Sequence, residues 1–449
     1  MADTARRGRR AVVADATFPA AASAPRGRLL VQIAAVLAAV AYLVLIPAGR
    51  AHLFRIWAED GKEWLSDAAL DAPFTHLLDP LGGYFHVIPR LVAQVVALLP
   101  VEWWAAGMAA GAAVVRALCA LTVFHAARGH VPSAPARFAI AAALIVLPAG
   151  NDETIGNTAN LHWFLFATLV WVLLARWETR TSAAIATAGA ALLALSVPLA
   201  IVLTPLAIVR IVVLPRRRDR VPGIAVLAAS AVVLTAQLAM TRPRSEVDVL
   251  ALIASALVRG PLVTLLGPQA SAWLIERTPI WCVVAATAAA VVLVVSLAAF
   301  ALRRGRVSER VLVAGLLALA CFCGTFSLSS NWQDFLAVDD ELRTARYSTL
   351  PGLLLSAALV VSLVVLLRRR RVVGVVVAAV VGALVLTGAI WQLATPLESP
   401  DSPATLGITW EEGLDRAAED CERIGDSRVK VVIMPHDAWT AIVPCALLE

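Results

Sequence analysis

Four stretches of this chain carry the side chains that can do acid–base or anion-binding work. The first, RIWAEDGKEWLSD (Arg55–Asp67), places Glu59 and Asp60 side by side, with Trp57 and Trp64 on either flank. The second, GGYFHVIPR, supplies Tyr84, His86 and Arg90. The third, GNDETIGNTANLHW (Gly150–Trp163), packs Asp152, Glu153, Asn157, Asn160 and His162 into fourteen positions. The fourth, NWQDFLAVDDELRTARY (Asn331–Tyr347), ends in Arg343, Arg346 and Tyr347. A carboxylate such as Asp60 or Glu59 can take the proton of a hydroxyl, whose own acidity is negligible at neutral pH. Arg343 and Arg346 are three apart, so one helical turn presents both on one face, where guanidinium forks suit a phosphate. His86, Arg90 and Tyr347 are further candidates for holding that anion. Asn and Trp side chains suit sugar hydroxyls and sugar faces, which makes Trp57, Trp64, Asp152, Glu153, Asn157, Asn160 and His162 candidates for a sugar or acceptor site.

These segments belong to a chain of 449 residues that is 60% hydrophobic and only 16% charged, with a mean hydropathy of +0.80. A water-soluble protein of this size has too much surface for so few charges. Several runs reach the roughly twenty residues that a bilayer core requires. The net charge of +6 does not point to nucleic acid, because the arginines sit in short clusters between apolar runs: RRGRR, Pro215–Arg220, Arg303–Arg306 and Arg368–Arg371. Such clusters mark cytoplasmic loops.

The clusters thread into an all-α polytopic membrane protein of about eleven crossings. The predicted spans are Leu29–Ala48, Val101–His125, Arg137–Gly150, Asn160–Arg176, Ser182–Val197, Leu199–Leu214, Pro222–Met240, Ile280–Leu302, Glu309–Leu328, Ser348–Leu367 and Val372–Thr395. The basic leader 1–28 lies in the cytoplasm and reads as uncleaved, because its first apolar run is long for a signal peptide. The membrane domain covers 29–395, and a small extracytoplasmic α/β tail covers 396–449. Val87–Pro100 and Val249–Val258 are too short to cross, the latter stopping at Arg259-Gly260-Pro261, and are expected to lie in the outer leaflet. Of the 32 acidic residues only Asp3, Asp15, Glu178, Asp219 and Glu309 then fall inside. All four polar stretches open on the extracytoplasmic face of a multi-pass plasma-membrane protein.

Two features stand apart. Arg116 lies within a predicted span, about 13 Å of helix from its end, and an intramembrane arginine is a functional candidate by default. In the tail, Thr409 with Glu412 predicts a capping box ahead of a helix, followed by a strand at VKVVIM. Cys421 and Cys445 both fall there, where a disulfide can form. The other cysteines, in apolar spans, read as small core residues. Each polar residue also has a plainer reading. The acidic pair can be a solvated loop, the tryptophans interface anchors, His86 a hydrogen-bonded structural residue, and Arg343 and Arg346 ion-pair partners of Asp339 and Asp340.

At these residues the chain resembles the GT-C superfamily of integral-membrane glycosyltransferases, which use polyprenyl-phosphate sugars on the outer face of the membrane. The resemblance lies in the long first external loop with its acidic pair AEDG (Ala58–Gly61) after the first span, the surface helix that follows, the number of spans and the external C-terminal piece. It implies a polyprenyl-phosphate sugar donor, membrane lipid around the protein, a cell-envelope glycan, lipid or protein as acceptor, and a first-loop acid at Asp60 with Glu59 as its neighbour. Asp152 and Glu153 correspond to a second acidic element. The acids of the first loop are adjacent, unlike the DxD of metal-dependent members, so no metal ligands are named and a divalent metal is left open. The competing classes are a transporter or lipid-linked-sugar flippase, which would favour repeated halves and ionisable residues at midplane, and a non-catalytic scaffold acting through its tail.

Overall fold

The computed structural model describes residues 2–21, 29–147, 152–240, 249–329, 346–394, 408–425, 427–435 and 439–448. The chain folds into helices α1 (Ala2–Thr17), α2 (Leu29–Leu45), α3 (Pro47–His52), α4 (Ser66–Leu70), α5 (Val87–Val96) and α6 (Trp104–Ala126). Helices α7 (Ala134–Val146), α8 (His162–Leu174), α9 (Arg180–Leu195), α10 (Thr204–Val213), α11 (Arg217–Leu238), α12 (Val249–Leu257) and α13 (Val263–Arg277) follow. The last are α14 (Ile280–Arg304), α15 (Val307–Ser329), α16 (Arg346–Arg369), α17 (Arg371–Ala394) and, in the tail, α18 (Trp410–Ile424). Among the described residues seven helical stretches are long and apolar enough to cross a membrane, and shorter apolar helices run alongside them.

Two helices form the centre. In α8 every residue from Trp163 to Leu174 is buried, as expected of a helix apolar on all sides. In α16 most positions between Ser348 and Leu366 are buried. Both begin at the same end of the bundle, so His162 and Arg346, their first residues, lie where the polar loops gather. In contrast, α17 buries only Gly374, Val381 and Gly388, the pattern of a helix that faces lipid on most sides. Gly388 is where α17 passes against the backbone of Leu266 and Gly267.

One expectation is corrected. The apolar run from Val249 does not stop at Arg259-Gly260-Pro261. A π-helical turn, Val258–Leu262, carries the chain on into α13. A wider turn tolerates Pro261, whose missing N–H and ring would break a regular α-helix. The interruption comes later, at Gly267 (φ 78°) ahead of Pro268, a backbone conformation that glycine adopts without a Cβ clash. The stretch Leu252–Arg277 is thus long enough to span.

The tail is built as its local signals dictate. Thr409 Oγ1 accepts from the Glu412 N–H at 3.2 Å, and the Glu412 carboxylate accepts from the Thr409 N–H at 2.8 Å, so α18 starts with a capping box. Strands β1 (Arg428–Val432) and β2 (Thr440–Pro444) pair antiparallel with Lys430 opposite Ile442. Cys421 and Cys445 form a disulfide across a Cα separation of 5.9 Å.

The sequence does not announce that this tail shares one core with the first loop. Ile56, Trp57, Ala58, Trp64 and Leu65 pack with Trp410, Leu414, Val431, Ile433, Met434, Ala441 and Val443. Backbone bonds stitch the two together: Trp410 N–H to Phe54 O at 2.7 Å and Met434 N–H to Ile56 O at 3.1 Å. The Trp410 indole N–H donates to Val101 O at 2.8 Å, and the Ile442 N–H to Ser66 Oγ at 2.8 Å. Gly61 sits so close to Ile433 and Ile56 that a Cβ would meet their methyl groups at 2.6 and 2.8 Å.

Candidate functional site

The acidic pair divides its labour. A helical path, here a π-helical turn from Asp60 to Leu65, turns adjacent residues to different sides. Asp60 points into the protein and is 1% exposed. Its carboxylate accepts from the Thr158 N–H (2.8 Å), the Thr158 hydroxyl (3.0 Å) and the Ala159 N–H (2.9 Å). Burial pushes Asp60 up to about 7, with the three donors pulling the other way. Glu59 faces a cavity of about 530 Å³. Asp60 is therefore a joint between the first loop and the 152–161 segment, and Glu59 is the acid that a ligand can reach.

That segment is held by its own side chains. The Asn157 side-chain amide donates to the carbonyls of Glu153 and Ile155, while its Oδ1 accepts from the Asn160 N–H at 3.0 Å. Asn160 Nδ2 donates to Glu153 O at 2.7 Å and to Asn157 Oδ1 at 3.2 Å. His162 Nδ1 lies 2.9 Å from Ala159 O. Arg116 completes the arrangement. Its guanidinium reaches the carbonyls of Leu144 and Ile145, at the end of α7, and that of Thr154 at 3.2 Å, while lying over the Phe164 ring at 3.9 Å. The buried arginine therefore ties the α7 end to the site loop.

The cavity has two characters. Its polar and aromatic lining comes from Trp57, Glu59, Tyr84, His86, Asn160, His162, Trp163, Arg346 and Tyr347. Most of these rings touch: Tyr84–His86 centroids are 3.8 Å apart, His162–Trp163 4.1 Å and Trp163–Tyr347 5.7 Å. Burial raises the Tyr84 phenol above its ordinary value and pushes His86 down to about 3, which keeps both neutral. Arg346 Nη1 is 3.4 Å from Glu153 Oε1, lies over Tyr347, and is within electrostatic reach of Glu59. Apolar side chains complete the lining: Leu81, Pro198, Leu199, Ile201, Val202, Leu234, Phe322 and Phe326.

The loop bearing His86 owes its path to backbone freedom. Gly82 and Gly83 take φ of 61° and 90°, values that suit glycine, so the chain reverses between Leu81 and Tyr84. The Ile88 N–H on Ser196 Oγ (2.9 Å) and the Phe85 N–H on Leu195 O (3.2 Å) then anchor the loop to the end of α9.

The structure thus brings Trp57, Glu59, His86, Asn160, His162, Arg346 and Tyr347 to one cavity. Glu153 stands behind it as the partner of Arg346, and Asn157 supports it. Trp64 is fully buried in the core shared with the tail. Arg90 is buried and paired with Asp67 at 2.6 Å, so its guanidinium is engaged away from the cavity lining. The backbone of Asp152 lies in a short 3-10 turn with Glu153 and Thr154. Arg343, with Asp339 and Asp340, lies outside the described residues. The sequence pattern does not mark the apolar lining or Gln237, a lone amide near the C-terminal end of α11. Among the described residues no group of three His, Cys, Asp or Glu side chains is gathered for a metal ion, and the Asp60 oxygens are taken up by Thr158 and Ala159.

No family model and no curated protein matches this chain. Among solved structures, the crystal structure of the Archaeoglobus fulgidus oligosaccharyltransferase in complex with Zn and sulfate is similar, with a TM-score of 0.45 and 13% identity over 88% of this chain. The chain spans 56% of that protein's length.

Proposed function

We propose that this chain is a membrane glycosyltransferase that moves a sugar from a polyprenyl-phosphate donor to an acceptor hydroxyl on the extracytoplasmic face of the plasma membrane. The observation that carries this reading is a single cavity lined by Glu59 and Arg346 together with apolar side chains such as Leu234, Phe322 and Phe326. Glu59 removes the proton of the acceptor hydroxyl. The resulting oxygen bonds to the anomeric carbon as the bond from that carbon to the phosphate oxygen breaks. The departing lipid phosphate keeps the electron pair and is held by Arg346, aided by the N-terminal dipole of α16. Leu234, Phe322 and Phe326 receive the first isoprene units, and the aromatic rings of Trp57 and Trp163 offer faces to the sugar. The disulfide in the tail fits an oxidising compartment.

The test supplies labelled polyprenyl-phosphate sugars and candidate envelope acceptors to the purified chain in lipid nanodiscs, and measures release of polyprenyl phosphate. Glu59→Gln is expected to lower kcat by about 10²–10⁴, and Arg346→Ala to weaken turnover of the phosphate donor by at least 10² (roughly the loss of one charged donor). Absence of transfer from every donor, or full activity of Glu59→Gln, overturns the proposal.

A further inference from the structure

The basic leader is a folded part of the bundle, fastened at the end opposite the cavity. Helix α8 starts at His162, on the cavity, and finishes at Leu174, about 18 Å of helix away. Just past that end, Arg176 Nη2 donates to Ala14 O at 2.9 Å and pairs with Asp15 at 2.8 Å. Ala14 and Phe18 are buried. Phe18 packs on Leu214, with the Arg210 guanidinium 5.6 Å from its ring centroid. Ahead of this latch the helix lies bare: Arg10 is exposed, and Val12 and Val13 are 67% and 42% exposed. Helical backbone also crowds Arg6, Arg7, Arg9 and Arg10 into about 6 Å of axis. The pairs Arg6–Arg9, Arg6–Arg10 and Arg7–Arg10 stand at spacings where like charges repel, and Asp3 is the one carboxylate of α1 at a compensating spacing. Helix α1 packs on α10 and α15, which brings exposed Arg216, Arg217, Arg303, Arg304 and Arg306 to the same end. Three carboxylates there are already committed. Asp15 pairs with Arg176, Asp219 Oδ1 accepts from the Trp177 N–H at 3.2 Å, and Glu309 takes two bonds from Arg368 at 2.6 and 2.7 Å.

We infer that α1 is a membrane-surface helix that docks on the anionic phospholipid headgroups of the leaflet opposite the cavity. A phosphodiester surface supplies the counter-charge that this end of the protein lacks, and it relieves the repulsion along α1. Val12 and Val13 stand close to Arg10 in the chain, and exposed apolar residues among arginines are what such a helix sinks toward the acyl chains. The Phe18 latch fixes where the helix leaves the bundle, so little further ordering is needed when it meets the lipid. Orienting a membrane protein asks only that an arginine cluster stay on one side of the bilayer. It does not call for a pinned helix with bare valines beside its arginines. The inference is independent of any reaction at the cavity.

The experiment places the full chain in nanodiscs of phosphatidylcholine, alone or mixed with phosphatidylglycerol, and reads hydrogen exchange on peptides within residues 2–13. An arginine near an anionic surface contributes about a fivefold factor, so phosphatidylglycerol is expected to slow exchange in α1 at least about tenfold at low salt. Raising the salt well above physiological strength should remove most of that gain. Replacing the four arginines together by glutamine (R6Q, R7Q, R9Q and R10Q) is expected to abolish the gain. Replacing them by lysine should retain it, because a leaflet responds to charge. Exchange within α8 is expected to stay at the wild-type level in both variants. Equal exchange in the two lipids, or an undiminished gain in the glutamine variant, overturns the inference. So does an equal gain from inorganic phosphate added to phosphatidylcholine discs, which would make the ligand a dissolved anion rather than a leaflet. No readout here depends on transfer. Lipid-independent exchange therefore leaves the glycosyltransferase reading standing, and an inactive protein with a lipid-protected leader leaves this one standing.

Discussion

Replacing each member of the acidic pair by its amide separates the chemistry from the scaffold. Glu59→Gln changes a half-buried side chain on the cavity wall, so it is expected to fold with wild-type stability and to lower transfer by about 10²–10⁴. Asp60→Asn changes a carboxylate that accepts three hydrogen bonds. The best amide rotamer keeps its oxygen on the Thr158 hydroxyl and the Ala159 N–H, and turns its NH₂ against the Thr158 N–H. That leaves a buried donor unsatisfied, at about 1–3 kcal/mol. The upper end, near 3 kcal/mol, corresponds to roughly 100-fold more frequent opening of this joint. The assay is hydrogen exchange by mass spectrometry on peptides containing Thr158 and Ala159, read beside transfer activity. Asp60 also gives the joint a pH dependence. Its folded value of about 7 lies above the roughly 3.9 of an unfolded aspartate, so its contribution is full at low pH and is lost as pH rises from about 4 through about 7. Asp60→Asn flattens that slope. Unchanged protection at both amides in Asp60→Asn, or loss of transfer in Asp60→Asn with none in Glu59→Gln, would refute the division of roles.

Three further outcomes are expected. Trp410→Ala removes a buried ring stacked on Trp104 at 6.1 Å and its bond to Val101 O, at about 3–5 kcal/mol, and limited proteolysis should then release the tail. Removing the disulfide by Cys421→Ser with Cys445→Ser frees a loop with a sequence separation of 24 and should lower stability by about 3 kcal/mol, seen as a lower Tm that reductant no longer changes. His76 bridges Asp79 (2.6 Å) and Asp71 (2.9 Å), and these carboxylates raise its pKa. Its contribution is full below the ordinary histidine value and fades as pH rises through the raised one, so protease cutting within 71–80 should increase with pH in the wild type and lose that dependence in His76→Gln.

How much of this was legible depends on the range of the interaction. Thr409 and Glu412 form their capping box because both partners lie within one turn. Arginine clusters separate apolar runs, so the order of helices could be read, and with it the meeting of three distant loops. The partner of the tail could not. VKVVIM declares alternate burial, yet nothing local says that Val431 and Ile433 pack against Ile56 and Trp64. Nor does the spacing say which of two adjacent acids turns inward, because that depends on where Thr158 lies, ninety-eight positions away. Pro261 read as a stop because its cost in a regular helix is large, and a π turn is a tertiary solution that propensity does not contain. The apolar cavity wall stayed hidden because Leu234 or Phe322 looks the same whether it faces lipid, protein or a groove.

The buried charges share a cause that reaches beyond the site. The described part of the segment between α7 and α8, residues 152–161, forms only two short 3-10 turns, yet much of it is buried, where unpaired N–H and C=O groups are costly. Side chains supply what secondary structure does not: Arg116 takes the carbonyls of Leu144, Ile145 and Thr154, Asp60 takes the amides of Thr158 and Ala159, and Asn157 and Asn160 take Glu153 O. An arginine inside a span is a functional candidate in the sequence, but in space Arg116, like Asp60, closes on peptide groups. The cavity lining is then left to the neighbours they position, Glu59 beside Asp60 and Arg346 beside Glu153. A charge-preserving Arg116→Lys should therefore fail to support the loop, since one ammonium cannot span three carbonyls held by a planar fork, and exchange at Thr158 should rise as it does in Asp60→Asn. Wild-type protection in that variant would mean that the loop is held by packing alone.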